Sequence, residues 1–374
     1  MASMMTEIYQ GLNQSQIESV LFGFIENALT EKYGPEPREL IVQRVSEEWH
    51  AIERTNTALD IAALQELTTW LRKNNYPFLM RGLAGSSLIL FLLGITSGNP
   101  LPPHSYCPVC KTVWFEQAYK DGLDVPQGGL CVDDQISTLS DGHDIPWQTL
   151  WGFGDFCPVF EISLPSEIYP IVSDNIEKHW LNSFKYDFEF RYEQPIAQKC
   201  AQGLKIHNID VVFDLPAAFE YPSGHELIGC AGEKDIILKS WKTMLEVPEK
   251  MLVGVPEGCH PQSVAELITL SGLLHSAYRD DEFSIKVFQL NNKIAFRDDI
   301  FLYLIRLGFI EKDAWRIMNA VRKGQGLKFL TSMLKAEAEK WFIDWCGQVQ
   351  YLPIKAETIE KMLFKLRMPD PKSL

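Results

Sequence analysis

The stretch from Leu79 to Cys110 constrains this chain more than any other. It reads Leu79-Met80-Arg81-Gly82-Leu83-Ala84-Gly85-Ser86-Ser87, then an apolar run, then Gly98-Asn99-Pro100-Leu101-Pro102-Pro103-His104, and closes on Cys107-Pro-Val-Cys110. A Gly/Ser turn feeding an apolar helix can cradle a phosphate, because free backbone N–H groups and the helix dipole both favour an anion there. The same residues also make a plain turn followed by a helix capped by Ser86 or Ser87, and spacing alone favours that simpler arrangement. The run Leu88 to Ile95 is too short to span a bilayer and reads as a buried helix.

With 374 residues, 46% of them hydrophobic, the chain can build two or three packed units. Its net charge of −14 argues against gripping a duplex, which needs a basic stripe to neutralise phosphates. A local basic patch is compatible with that sum. The eight cysteines, half of them scattered singly, fit reduced thiols better than a disulfide framework. No secretory leader is expected, since no basic region precedes an apolar core at the start. Met1-Ala-Ser-Met reads as added by cloning, with Met5 the native start. The expectation is a cytoplasmic protein that does not touch a membrane.

Helical spacing recurs in Ile17, Val20, Leu21, Phe24, Ile25 and Leu29, in Leu40, Ile41, Val45 and Trp49, and in Ile61, Leu64, Leu67 and Leu71. Pro35 and Pro37 stop the first of these helices. Tyr186 to Tyr192 and Ile206 to Phe213 read as strands. Pro222-Ser-Gly224 and Gly229-x-x-Gly232 read as turns, with His207 and His225 as loop histidines without partners.

Cys107-x2-Cys110 followed by Cys131-x2-Asp134 has the outline of two metal-ligand knuckles. Paired knuckles present four ligands to a tetrahedral zinc ion, and a carboxylate is an acceptable fourth. The reading is a structural Cys3Asp zinc site; the plainer one is three packed thiols and no metal.

Joined to Asp141-Gly-His-Asp144-Ile-Pro146-Trp147, the run from Arg81 to Cys110 resembles the palm of the family C replicative DNA polymerases of bacteria, of the PolC type. Arg44-Val45-Ser-Glu47-Glu48 is similar to the helix that leads into that palm. Ser263 to Ser276, Phe296-Arg297-Asp298-Asp299-Ile300, Val321-Arg322-Lys323-Gly324-x-Gly326-Leu327 and Trp341 to Cys346 resemble the family's fingers. The likeness covers residues 37–165 and 260–368. It implies a mostly helical α+β fold: a reduced palm of the polymerase-β-like nucleotidyltransferase type, a zinc-ribbon-like insertion at 104–136, and a helical finger remnant. The divisions expected are an N-terminal helix in 1–36, a palm-like domain in 37–200, a mixed linker in 201–258 and a finger-like domain in 259–374. The family's exonuclease, PHP domain, oligonucleotide-binding modules and clamp-binding tail find no counterpart.

The chemistry is where the resemblance breaks. Family palms carry Pro-Asp-x-Asp, whose carboxylates hold two Mg²⁺ ions; here the run is Pro158-Val159-Phe160-Glu161. The third family acid, in a Lys-Leu-Asp, aligns with Lys199-Cys200-Ala201, leaving Glu161 as the one acid of the set. The phosphate cradle pattern keeps Arg81, Gly82, Gly85, Ser86 and Ser87 but loses its leading Gly-Ser and its middle Ser to Leu79, Met80 and Leu83. Arg322 and Lys323 stand where finger cations meet nucleotide phosphates, or simply at a helix end with Gly324 as its stop. The family's His-Ala-Ala-Ala-Tyr helix is replaced by Glu357-Thr-Ile-Glu360-Lys361. The reading is a catalytically silent relative that binds a protein partner, such as a replisome component or the host polymerase system. The alternative is a nucleotidyltransferase with a rearranged Mg²⁺ site recruiting Glu167, Asp187 or Glu189. A third is a small zinc module that uses Arg81, Arg322 and Lys323 on nucleic acid.

Overall fold

The computed structural model describes residues 8–176, 188–196, 199–215, 233–245, 260–289 and 294–366. Three helices open it: α1 (Gln14–Tyr33), α2 (Glu39–Thr55) and α3 (Ala58–Lys73). Asn13 caps α1 through a reciprocal box with Gln16, and Gly34 at φ +80° ends it before Pro35 is reached. Ile17, Leu21 and Ile25 point inward from α1, which packs on α3. α3 is buried nearly all round, as a helix covered on both faces must be.

That core lies under a five-stranded sheet in the order β1-β5-β8-β7-β6. Its strands are β1 (Leu79–Arg81), β5 (Phe160–Pro165), β6 (Phe188–Ile196), β7 (Lys199–Ile206) and β8 (Ile209–Leu215). β5 and β8 run parallel; every other neighbouring pair is antiparallel. Strand alternation sends Met80, Phe160, Ile162, Leu164, Ile209, Val211 and Phe213 into the core. Arg81, Glu161, Ser163, Asp210 and Asp214 therefore share the opposite face.

Three expectations need correcting here. Ile206 to Phe213 is not one strand: the chain turns at His207, with φ +51°, and Asn208. His207 does have a partner, since its Nδ1 lies 2.9 Å from Oδ1 of the fully buried Asp60, to which Asn208 also donates. The sheet also continues past residue 200, with β7 and β8 supplied by the segment read as a linker. The turns at 222–224 and 229–232, His225 and the chain end near Pro371 lie outside the described residues.

A second sheet, β3-β2-β4, is built from β2 (His104–Tyr106), β3 (Val113–Phe115) and β4 (Leu139–Asp141). The Asn99-to-His104 and Asp141-to-Pro146 runs meet there. Carbonyls of Asn99, Pro100 and Leu101 accept from the N–H groups of His143, Ile145 and Asp144. Gly142 at φ +103° allows this approach, because a Cβ would lie 2.4 Å from the Pro102 carbonyl oxygen. The buried carboxylate of Asp141 joins Lks of three elements: it pairs with Lys32 at 3.1 Å and accepts from Asn99 at 2.8 Å.

The short apolar helix α4 (Leu88–Leu92) follows the Gly/Ser turn. A second core gathers α5 (Val264–His275), α6 (Arg297–Arg306), α7 (Glu311–Val321), α8 (Lys340–Gln348) and α9 (Lys355–Leu366), with Leu123 and Ile145 reaching in from the insertion side. α9 packs back onto β1 and the turn at 84–86. A two-stranded ladder, β9 (Ala277–Tyr278) with β10 (Val349–Tyr351), ties α5 to α8.

Candidate functional site

The polar face of the large sheet is a cross-strand row. Register places Arg81 opposite Glu161, Glu161 opposite Asp210, and Asp210 opposite Lys205. Side chains at such positions lie within reach of one another. Arg81 bonds through Nε to Ser163 Oγ and through Nη2 to Asp214 Oδ2, and Nε stands 3.6 Å from Glu161 Oε1. One guanidinium thus serves the carboxylates of two strands. Asp210 and Asp214 each keep one buried oxygen without a hydrogen-bond partner. Burial first, then Glu357, Asp210 and Asp214, raise the Glu161 carboxyl above its ordinary range, with Arg81 opposing them.

Asp210 and Asp214 were not found from the sequence. The expected third acid, near Lys199–Ala201, lies on β7, a strand further from β5 than β8 is. The signal was Val212-Phe213-Asp214, an acid closing an alternating apolar strand, but only the β5/β8 pairing shows which acids face Glu161. Val159, where the first family acid would stand, is 52% exposed at the lip of this face. Glu167 is exposed beyond the end of β5. Asp187 lies outside the described residues, as does the side chain of Glu189.

The turn at 82–87 is closed by the protein's own carboxylates. Ser87 caps α4, as one of the two alternatives held. Its hydroxyl also donates to Glu48 of α2, whose carboxylate accepts from the N–H groups of Leu88 and Ile89 at 3.0 and 3.2 Å. A fully buried glutamate, itself paired with Arg44, therefore takes the helix N-terminus where an anion would bind. Ser86 is buried and bonded through its hydroxyl to Thr149. Gly82 keeps a positive φ with open space beside it, but at Gly85 a Cβ would meet Glu360 Cγ at 3.2 Å and Ala356 Cβ at 3.3 Å. Glu360 also accepts from the N–H groups of Ser97 and Gly98. The acidic helix that replaces His-Ala-Ala-Ala-Tyr thus sits directly over the turn.

Arg322 and Lys323 follow the end of α7, which Gly324 terminates at φ +71°. Arg322 is half-buried and donates to Asn319 at 2.7 Å, while Lys323 is exposed. Arg297 of α6, 5% exposed, bears on Arg322 electrostatically and was not singled out from the sequence.

Cys107, Cys110, Cys131 and Asp134 converge. Their ligand atoms all lie within 4.8 Å of one another, the single such group found among the described residues. Cys107 Sγ is 3.1 Å from Asp134 Oδ2, and Cys110 Sγ is 3.6 Å from Cys131 Sγ. The two loops repeat one geometry. Cys107 N–H bonds to Thr112 O and Lys111 N–H back to Cys107 O; Cys131 N–H bonds to Ile136 O and Gln135 N–H back to Cys131 O. Lys111 and Gln135 both take the left-handed conformation such a knuckle needs. Asp134 occupies in the second loop the place of Cys110 in the first. The donor set, spacing and fold fit a tetrahedral zinc. The carboxylates of the large sheet do not converge in this way.

Residues 19–165 match the family model described as the bacterial DNA polymerase III alpha NTPase domain. Curated relatives extend the match across nearly the whole chain. The DNA polymerase III PolC-type of Streptococcus thermophilus is 24% identical over 454 aligned positions, covering 90% of this chain and 31% of that protein. The Streptococcus mutans protein of the same description is 24% identical over 97% of this chain and 32% of its own length. That of Thermotoga petrophila is 26% identical over 90% of this chain and 32% of its own. The chain is a relative of the PolC-type DNA polymerases III. It spans about a third of the length of these PolC relatives. No described helix is long and apolar enough to cross a membrane.

Proposed function

We propose that this PolC relative is a catalytically silent palm and finger that acts by binding a protein partner, a replication factor or the host replicative polymerase system. The observation that carries the reading is Arg81. A polymerase-β-like palm holds its catalytic metals between carboxylates on adjacent strands. Here the guanidinium of Arg81 stands among Ser163, Glu161 and Asp214 and supplies the positive charge from within the chain. Val159 offers no ligand atom, and Glu48 and Glu360 fill the approaches to the phosphate turn. The fold survives because its determinants lie elsewhere, in the bonded 99–101 and 143–145 segments and the Asp141–Lys32 pair.

Zinc belongs to the same reading. Cys107, Cys110, Cys131 and Asp134 would hold it, and bound there it supplies cross-linking of the two knuckles and no chemistry, since all four positions are protein ligands. The test is calorimetry of Mn²⁺ with a dNTP on zinc-loaded protein, run beside pull-downs from a Gram-positive lysate. Absence of metal-dependent nucleotide binding together with recovery of a replication protein is the expected result. Metal-dependent binding abolished in Glu161→Ala and Asp214→Ala overturns it. That outcome would restore the enzyme reading, for which Asp214 beside Glu161 is the favouring observation.

A further inference from the structure

Arg297 is the most anomalous charge among the described residues. It is 5% exposed, and neither its Nε nor its Nη2 has a hydrogen-bond partner. A guanidinium taken out of water without an acceptor forfeits hydration that nothing replaces. Burial pulls its pKa down to about 10. The carboxylates around it are engaged elsewhere. Asp298 accepts from the Lys355 N–H through Oδ2, Asp299 accepts from the N–H groups of Ala295 and Phe296, and Glu357 pairs with Lys361 at 2.9 Å. The nearest ionised side chain on α7 is Arg322, which adds a second positive charge instead of cancelling the first. Tyr351, 52% exposed, bears on both arginines and marks the way to solvent.

We infer that Arg297 and Arg322 receive a phosphate-class oxyanion, a diphosphate group bound without a divalent metal. Planar guanidinium donors suit phosphate oxygens, and a buried orphan pair is what such an anion would satisfy. The ligand is small. A net charge of −14 and the nearby Glu357 and Glu161 repel an extended polyanion. The inference goes beyond partner binding: it makes this chain responsive to a soluble phosphate compound through its finger side, independently of the carboxylate face.

The experiment titrates inorganic pyrophosphate into zinc-loaded full-length protein with no Mg²⁺ or Mn²⁺ present, read by calorimetry and by the melting midpoint. Binding that raises the midpoint is expected, weakened about tenfold in Arg322→Gln and tightened in Glu357→Gln. Arg297→Met should abolish binding while leaving the unliganded midpoint unchanged or higher, which an arginine kept only for packing would not do. dATP in place of pyrophosphate separates sources: equal binding assigns the diphosphate to a nucleotide, and weaker binding assigns it to the free anion. No midpoint shift with pyrophosphate, or equal binding in the wild type and Arg322→Gln, overturns the inference even if Arg297→Met fails to fold. None of these readouts depends on a protein partner being found.

Discussion

Two regions of this molecule gather metal-ligand side chains, and they treat them in opposite ways. On the large sheet, Glu161, Asp210 and Asp214 share a face, but Arg81 stands among them and supplies their countercharge. In the knuckles, Cys107, Cys110, Cys131 and Asp134 converge within 4.8 Å and no cationic side chain enters. Ligand identity alone does not make a metal site. What separates the two is whether the chain brings its own cation or leaves convergent donors to an external one.

The largest effect that could break this contrast is at the knuckles. A structural zinc contributes on the order of 10 kcal/mol of apparent folding free energy in small domains. Chelation, or Cys107→Ser, should therefore release stoichiometric zinc and melt the 104–141 segment, followed by metal analysis and circular dichroism. Retained structure without metal would make the knuckles merely packed thiols. Asp141–Lys32 offers a buried ion pair for calibration. Lys32→Met should cost about 3–5 kcal/mol in urea unfolding, because it strands a buried carboxylate. On the sheet face, Arg81→Met should cost about 1–3 kcal/mol by leaving Asp214 and Ser163 unpaired. It also sharpens the comparison: if Mn²⁺ binds to Arg81→Met and not to the wild type, the arginine is the stand-in cation.

Acid titration gives a smaller effect with a definite sign. Burial would raise the Asp141 carboxyl, but Lys32 and then His104 override it and hold it at about 2, below the ordinary 3.8. The stability this depression contributes is present in full above 3.8 and drains away as pH falls toward 2, about 2 kcal/mol in all. Lys32→Met should flatten that limb of the stability curve. Glu161→Gln should move stability by no more than about 0.5 kcal/mol, since the carboxylate is 43% exposed and screened by water. A large loss would show that Glu161 does more than face Arg81.

Much of the scaffold was legible because it is local. Apolar spacing placed α1 to α3, and Ser87, Gly324 and the two knuckles were visible as short motifs whose geometry is set within a few residues. The sheet face was not legible for the opposite reason. Asp210 and Asp214 meet Glu161 only through a parallel pairing across more than 40 intervening residues, and nothing in either segment announces its partner. The same holds for Glu48 on α4 and Glu360 over Gly85, where a glutamate on a helix reads as an exposed charge until its acceptor role is seen. Arg297 was quoted as part of a family pattern, but an unpaired charge is a property of surroundings and has no spelling.

Gly85 touches Glu360 and Ala356 across some 270 residues of chain. A loop that long is slow to close, and the contact it makes is among the last the polypeptide acquires. During synthesis the turn and its helix are therefore finished well before the helix that covers them exists. For that interval the nascent protein presents an uncovered phosphate-type turn that the mature one hides, so its ligand preferences on the ribosome differ from those after release.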